Sequence, residues 1–317
     1  MRAAIVILLL LHEPVYALDV IQAFDFLSID QLAAGIAPAH GVLWLIAAAL
    51  FIAVRVGTWN FNRIYHHEIA EALKDNPGGP TELVTEADIL HLPDLVKKYL
   101  HYTGAIGKPR VQNFTVKFTG EFRQRENAGW MPFHSEQVNF IKNPARLFFM
   151  KATMKHLPVT GLHCYRKAKA SMDIRLLSLF RVQHQSGAAM DTGETVTFFN
   201  DMCVMAPPTL IDPRIQWLRT EGNTVYATFT NDAITITAGL CFNDKGELIN
   251  FFSDDRPGLQ NNRLTKARWS TPLSCYTTFN GFRLASYAET IYHFAEGDLC
   301  YGKFRLISAD YNVNEIL

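Results

Sequence analysis

From Phe114 onward the chain alternates with a period of two. Phe114, Val116, Phe118, Gly120 and Phe122 fall on one face, and Thr115, Lys117, Thr119, Glu121 and Arg123 on the other. That period predicts a half-buried strand. Strands are also predicted near 133–141, 146–154, 195–199, 225–230, 234–242, 248–253, 276–278, 286–294 and 303–309, separated by short turns such as Asn127-Ala128-Gly129 and Asn143-Pro144. The run Cys241–Leu248 places turn residues between two apolar stretches, a hairpin pattern. Many strands joined this way predict one antiparallel sheet, strongly curved or nearly closed. Ahead of it, Thr85 with Asp88 forms a capping-box pattern. Leu92, Leu95, Val96, Tyr99 and Leu100 then follow at helical spacing, with Pro93 dividing the stretch into two short helices. Residues 200–217 break the β pattern: a short apolar helix and a proline-broken loop are predicted to cover the mouth or concave side of the sheet.

The N-terminal pattern is different. Residues 32–54 contain no Asp, Glu, Lys or Arg, and a membrane crossing takes about 20 such residues. Trp44 and Trp59 are placed as interfacial anchors, and Arg55 can snorkel to the headgroups. A weaker apolar stretch over 3–27 carries Asp19 and Asp25. It reads either as a cleaved signal peptide with Val15-Tyr16-Ala17 at its end, or as a poor first membrane helix or interfacial helix. The expected organisation is therefore a membrane-anchoring region over 1–57, a juxtamembrane helix and linker over 58–84, and a β domain over 85–317. Arg55, Arg63 and Lys74 after the span, against Asp19, Asp25 and Asp30 before it, favour a cytoplasmic domain at a bacterial inner membrane. If the span acts as a signal anchor, the domain lies on the other side.

Composition narrows the functions. Hydrophobic residues make up 49%, enough for a large core, and Lys+Arg and Asp+Glu are both 30. The absence of a basic excess argues against a nucleic-acid partner. The five cysteines are widely spaced and form no CxxC, a pattern of buried free thiols rather than a disulfide framework. His156, His163 and Cys164 are separated by Pro158 and Gly161, so no one element presents them, and neither metal nor cofactor is expected. GxSxG, P-loop, GxGxxG and HExxH patterns are absent from the sequence, and no catalytic residue is assigned.

The order of blocks is itself informative. An apolar segment precedes LPDLVKKYLHYTGAIGKPRV, a strand ending GEFR, and Trp130. FNDMCVMAPPTLIDPRIQW, FNDKGELINFFSDDR and NGFRLASYAE follow. In this the chain resembles an uncharacterised bacterial family of membrane-associated domains of unknown function. More distantly, it is similar to the LolA-like lipoprotein-carrier fold. That likeness implies a mainly β (α+β) architecture: an open antiparallel half-barrel, short helices on its concave side, and a cavity for acyl chains.

On that expectation Met202, Met205, Pro208 and Leu210, with Phe148, Met150 and Met154, are the candidate lining of an apolar groove, since Met and Phe adapt to flexible chains. Ordinary core packing is the plainer account. Arg123 and Arg256, at strand ends, are candidates for a headgroup phosphate, against local pairing with neighbouring acids. The expected partners are the membrane and a lipid or other apolar small molecule, with any protein partner unknown. The expected function is a membrane-tethered, non-catalytic binding module. A structural or protein-interaction module and an enzyme with a dispersed site are the alternatives.

Overall fold

The computed structural model describes residues 38–154, 157–260 and 263–313. The stretch 3–27 and the first part of the 32–54 span lie outside them. Helix α1 (Pro38–Asp75) is followed by α2 (Glu86–Ile89) and α3 (Asp94–Thr103). Strands β1 (Asn113–Phe122), β2 (Met131–Phe140), β3 (Ala145–Met154), β4 (Leu157–Arg166), β5 (Lys169–Leu176) and β6 (Phe180–Ser186) come next. Helix α4 (Ala188–Met205) and a 3-10 turn (Pro207–Ile211) interrupt the series. The chain then forms β7 (Ile215–Glu221), β8 (Thr224–Asn231), β9 (Ile234–Phe242), β10 (Leu248–Ser253), β11 (Gly258–Gln260), β12 (Arg263–Thr265), β13 (Arg268–Phe279), β14 (Phe282–Phe294) and β15 (Gly297–Tyr311).

Thirteen strands of the described residues make one antiparallel sheet, in the order β6-β5-β4-β3-β2-β1-β15-β14-β13-β10-β9-β8-β7, and β11 and β12 pair separately. The sheet is mainly β architecture left open at β6 and β7, as expected. Its curvature follows from α4, which touches β5 and β6 near one edge, β9 and β10 toward the other, and β14 between them. A single helix meets all of these only if the sheet wraps around it.

The expected strand at 195–199 is instead the middle of α4. The β-branched and aromatic run TVTFF suits a strand locally, but here every residue from Gly193 to Met205 is buried. The helix is enclosed on all sides, so it shows no amphipathic period. Its threonines are accommodated because their hydroxyls bond carbonyls one turn back, Thr195 to Asp191 O at 2.8 Å and Thr197 to Gly193 O at 3.0 Å.

The expected pair of short helices is present. The Thr85 amide donates to Asp88 at 2.8 Å, Pro93 precedes α3, and Gly104 ends it at φ 71°, a conformation that favours glycine.

Helix α1 is continuous through the expected span and the juxtamembrane stretch. Among the described residues it is the one helix apolar and long enough to cross a membrane by length and composition. Its two halves behave differently. Leu45 is 72% exposed and Ile46 58%, whereas Phe61, Tyr65, Ile69 and Ala72 are buried. These four recur every three or four residues, so they form one stripe. The stripe packs on the outer face of the sheet, where Phe149 meets Phe61 edge-on at 5.7 Å and stacks on Tyr65 at 5.1 Å. Buried side chains of this size contribute roughly 1.5–3 kcal/mol each. At the end of α1, Asp75 pairs with Arg166 and Lys167 at 3.5 and 3.3 Å, and Asn76 bonds the Asn143 carbonyl at 3.1 Å. Gly57 packs under the β5–β6 turn. The segment before Gly57 therefore projects past the sheet at the opposite end from Asp75.

Candidate functional site

Register aligns the concave side chains of β2–β6 in rows. At the end nearest the projecting half of α1, Phe122 faces Met131 and Met154 faces Leu157. The next row runs Phe133, Ala152, Val159, Leu176 and Phe180. The third is Ser135, Met150, Gly161 and Ile174, and the fourth Gln137, Phe148, His163 and Met172. The fifth is Asn139, Arg146, Tyr165 and Ala170. The concave face thus grades from apolar to charged along the strands.

The charged end is roofed by α4. Arg146 donates from Nε to Asp201 at 2.7 Å, from Nη1 to Glu194 at 3.0 Å and from Nη2 to Gln137 at 3.0 Å. Asp201 also accepts from Gln137 and Asn139 at 2.7 and 3.2 Å. His163 and Arg256 each stand 3.7 Å from the other Glu194 oxygen. Burial raises the Glu194 carboxyl, but Arg146, His163 and Arg256 outweigh it and hold it down at about 2. At Asp201 burial prevails over Arg146 and the carboxyl moves up. A buried ion pair of this kind fixes the placement of a helix more surely than it adds stability. Here it registers α4 on β2, β3 and β4.

The groove residues expected from the sequence divide into two groups. Phe148 and Met150 are buried in the apolar rows with Phe133 and Val159, and Met154 packs beside them. Met202 and Met205 on α4 and Leu210 in the 3-10 turn belong to the main core, and Pro208 is buried in the same turn. Arg256 is drawn into the Glu194 network, with its guanidinium over Trp269 at 4.9 Å and its Nη1 donating to the Tyr292 hydroxyl. Arg123 lies at the apolar end, donating to the Cys300 and Glu126 carbonyls at 2.7 and 2.6 Å and covering Trp130 at 4.6 Å.

Glu194, Asp201, Gln137 and Asn139 are site residues that were not expected from the sequence. Glu194 and Asp201 are seven residues apart, two helical turns, inside an apolar run. Two acids on one face of a buried helix demand a buried cation, and that spacing was the available signal.

On the outer face a chain of polar groups crosses three strands. Ser270 Oγ lies 2.8 Å from His293 Nε2, and His293 Nδ1 lies 2.8 Å from Asp298. Ser270 and His293 line an open depression of about 580 Å³ with Asn250 and Arg268. The Asn250 side-chain oxygen there is buried without a hydrogen-bond partner. A second shallow depression, about 410 Å³, lies beside Pro257 and Leu264.

These features define an open β-sheet module with a graded concave face and a long N-terminal helix that is apolar over its projecting half. The profile described as "Family of unknown function (DUF6544)" matches residues 82–304, and the chain belongs to that family. It is similar to solved structures at low identity. A putative outer membrane lipoprotein-sorting protein domain from Vibrio parahaemolyticus is 7% identical, with 69% of this chain and 91% of that one covered and a TM-score of 0.41. A LolA superfamily protein from Nitrosomonas europaea is 9% identical over 68% and 93%, at 0.38. A DUF1329 family protein from Desulfovibrio piger is 11% identical over 74% and 96%, at 0.39. The uncharacterised family and the LolA-like likeness expected from the sequence both recur in these matches. No curated protein matches the chain.

Proposed function

We propose that the chain is a membrane-tethered, non-catalytic binding module for a lipid acyl chain or similar apolar ligand. One observation carries this: the apolar rows of the concave face lie at the same end of the sheet as the exposed apolar half of α1. A ligand leaving a bilayer crossed by α1 meets Met154, Leu176 and Phe133 before it meets the charges of the Arg146 network. Met150 and Met154 are unbranched, so they can swing aside to admit a chain. The Arg146–Glu194–Asp201 network closes the far end of the rows and stops an apolar ligand from going deeper.

The test is native mass spectrometry of the full chain released from membranes in mild detergent, followed by lipid extraction. Bound lipid in the wild type that is lost in Met150→Trp, which fills the row, supports the reading. A ligand-free wild type, or equal lipid in both proteins, overturns it.

A second reading, hydrolytic, is favoured by Ser270, His293 and Asp298, whose order matches a nucleophile, a base and an orienting carboxylate. Ser270 is only 2% exposed and β13 is paired on both sides, so substrate would approach from the Asn250 depression. Labelling by a fluorophosphonate probe that disappears in Ser270→Ala would establish this reading, and an unlabelled wild type would remove it.

A further inference from the structure

We propose that the turn joining β5 to β6 is a second membrane contact, entering the headgroup–acyl boundary beside α1 and holding the apolar rows against the bilayer. This inference rests on the membrane-tether reading and adds a site to it.

The turn is Leu176-Leu177-Ser178-Leu179-Phe180. Hairpin tips usually carry Gly, Asn, Asp or Ser, which suit both water and positive φ. Here Leu177 and Ser178 sit at φ 56° and 57°, and leucine is a poor occupant of that region. Leu177 and Leu179 are half-buried, and beside them Phe180 remains 60% exposed and Val182 54%.

The turn is also fixed to α1 at one level. Ser178 accepts the Thr58 hydroxyl at 3.1 Å and bonds Thr160 at 3.3 Å. A Cβ on Gly57 would lie 2.6 Å from Leu179 Cδ2 and 3.0 Å from the Ser178 carbonyl, so glycine permits this close approach. Residue 57 marks the point where the exposed apolar half of α1 gives way to its packed half. Two residues on, Trp59 is 59% exposed with the Arg63 guanidinium over its ring at 4.9 Å. An amphipathic aromatic with a cation at the end of an apolar helix is the signature of the interfacial layer. Arg55, two residues before Gly57, is exposed and suits lipid phosphate, while Arg181 beside Phe180 is paired with Asp173 at 2.9 Å. Phe180 completes the row Phe133, Ala152, Val159, Leu176. The inner members Phe133, Ala152 and Val159 are buried, so Phe180 is the exposed end of that row, and the occupant proposed for this edge is a lipid bilayer.

The experiment places the photo-crosslinking residue p-benzoylphenylalanine, one position at a time, at Phe180, Ile46 or Lys142 of the full chain. Each protein is reconstituted in phosphatidylcholine–phosphatidylglycerol vesicles. Ile46 lies in the projecting half of α1. Lys142 is exposed beside the distal end of α1, which is roughly 27 Å from Gly57 at 1.5 Å per residue. Lipid adducts at 46 and 180 and none at 142 are expected. An adduct at 46 without one at 180 overturns the second contact and leaves the tether standing. No adduct at 46 overturns the tether and the contact with it. Equal adducts at 142 and 180 also overturn the proposal, because the turn is then no nearer the lipid than the distal end.

Discussion

Asn231 on β8 donates a 2.6 Å hydrogen bond to the Tyr165 hydroxyl on β4, joining two strands that have eight others between them in the sheet order. The same hydroxyl lies 2.8 Å from Thr195 Oγ1 on α4. This bond clasps the two arms of the sheet around the helix.

Tyr165→Phe leaves the buried Asn231 amide without that acceptor, which costs about 1–3 kcal/mol. Urea unfolding should show the loss. Hydrogen exchange should quicken in β7 and β8, the arm the clasp restrains. Unchanged exchange there would mean that the clasp bears no strain.

Arg146→Met strands two acids. Removing one partner of a buried ion pair costs roughly 3–5 kcal/mol, and the loss should appear in the urea midpoint. A variant as stable as wild type would show that the carboxylates find other partners.

The two acids should respond differently to neutralisation. Burial already pushes Asp201 toward its neutral form, and the amides of Gln137 and Asn139 can reverse to suit an asparagine. Asp201→Asn should therefore destabilise less at pH 7 than Glu194→Gln. The reverse order in matched melts would contradict the network as described.

Acid should act through Glu194. Its folded value is lowered to about 2 from 4.5, so the folded state binds its proton less readily than the unfolded chain does. The stability it contributes is fully present above about 4.5 and is lost as pH falls through about 2. Unfolding free energy should fall across that window in wild type and fall less steeply in Glu194→Gln. Parallel curves would remove Glu194 from the acid response.

Gly57→Val should displace the β5–β6 turn, since added atoms meet Leu179 and the Ser178 carbonyl. Overpacking of this kind costs about 1–3 kcal/mol. Limited proteolysis should cut sooner within 177–182 while the sheet elsewhere stays protected.

β1, β2 and β3 were legible, whereas β4 to β7 were not predicted as strands, although β6 and β7 are largely exposed. β1 alternates cleanly because Thr115, Lys117, Thr119 and Glu121 face outward. β4 escaped notice because Leu162 packs under α1 while Val159 faces the apolar rows. With apolar side chains needed on both faces, and Pro158 and Gly161 within it, that segment carries no period of two. α4 was misplaced for the related reason that a fully enclosed helix has no polar side. The ion network joins residues up to 119 positions apart, Gln137 to Arg256, and only Glu194 and Asp201 lay close enough in sequence to announce it.

α1 is one uninterrupted helix from Pro38 to Asp75, so no swivel separates the segment proposed to cross the membrane from the segment bolted to the sheet. The angular setting of the two halves is then encoded in residue count. Each residue of an α-helix turns it by about 100°. Inserting a single alanine between Val56 and Phe61 would turn the lipid-facing side of the rod by that amount relative to the sheet. The concave mouth would be aimed along a different bearing with the packing of Phe61, Tyr65, Ile69 and Ala72 on the sheet unchanged.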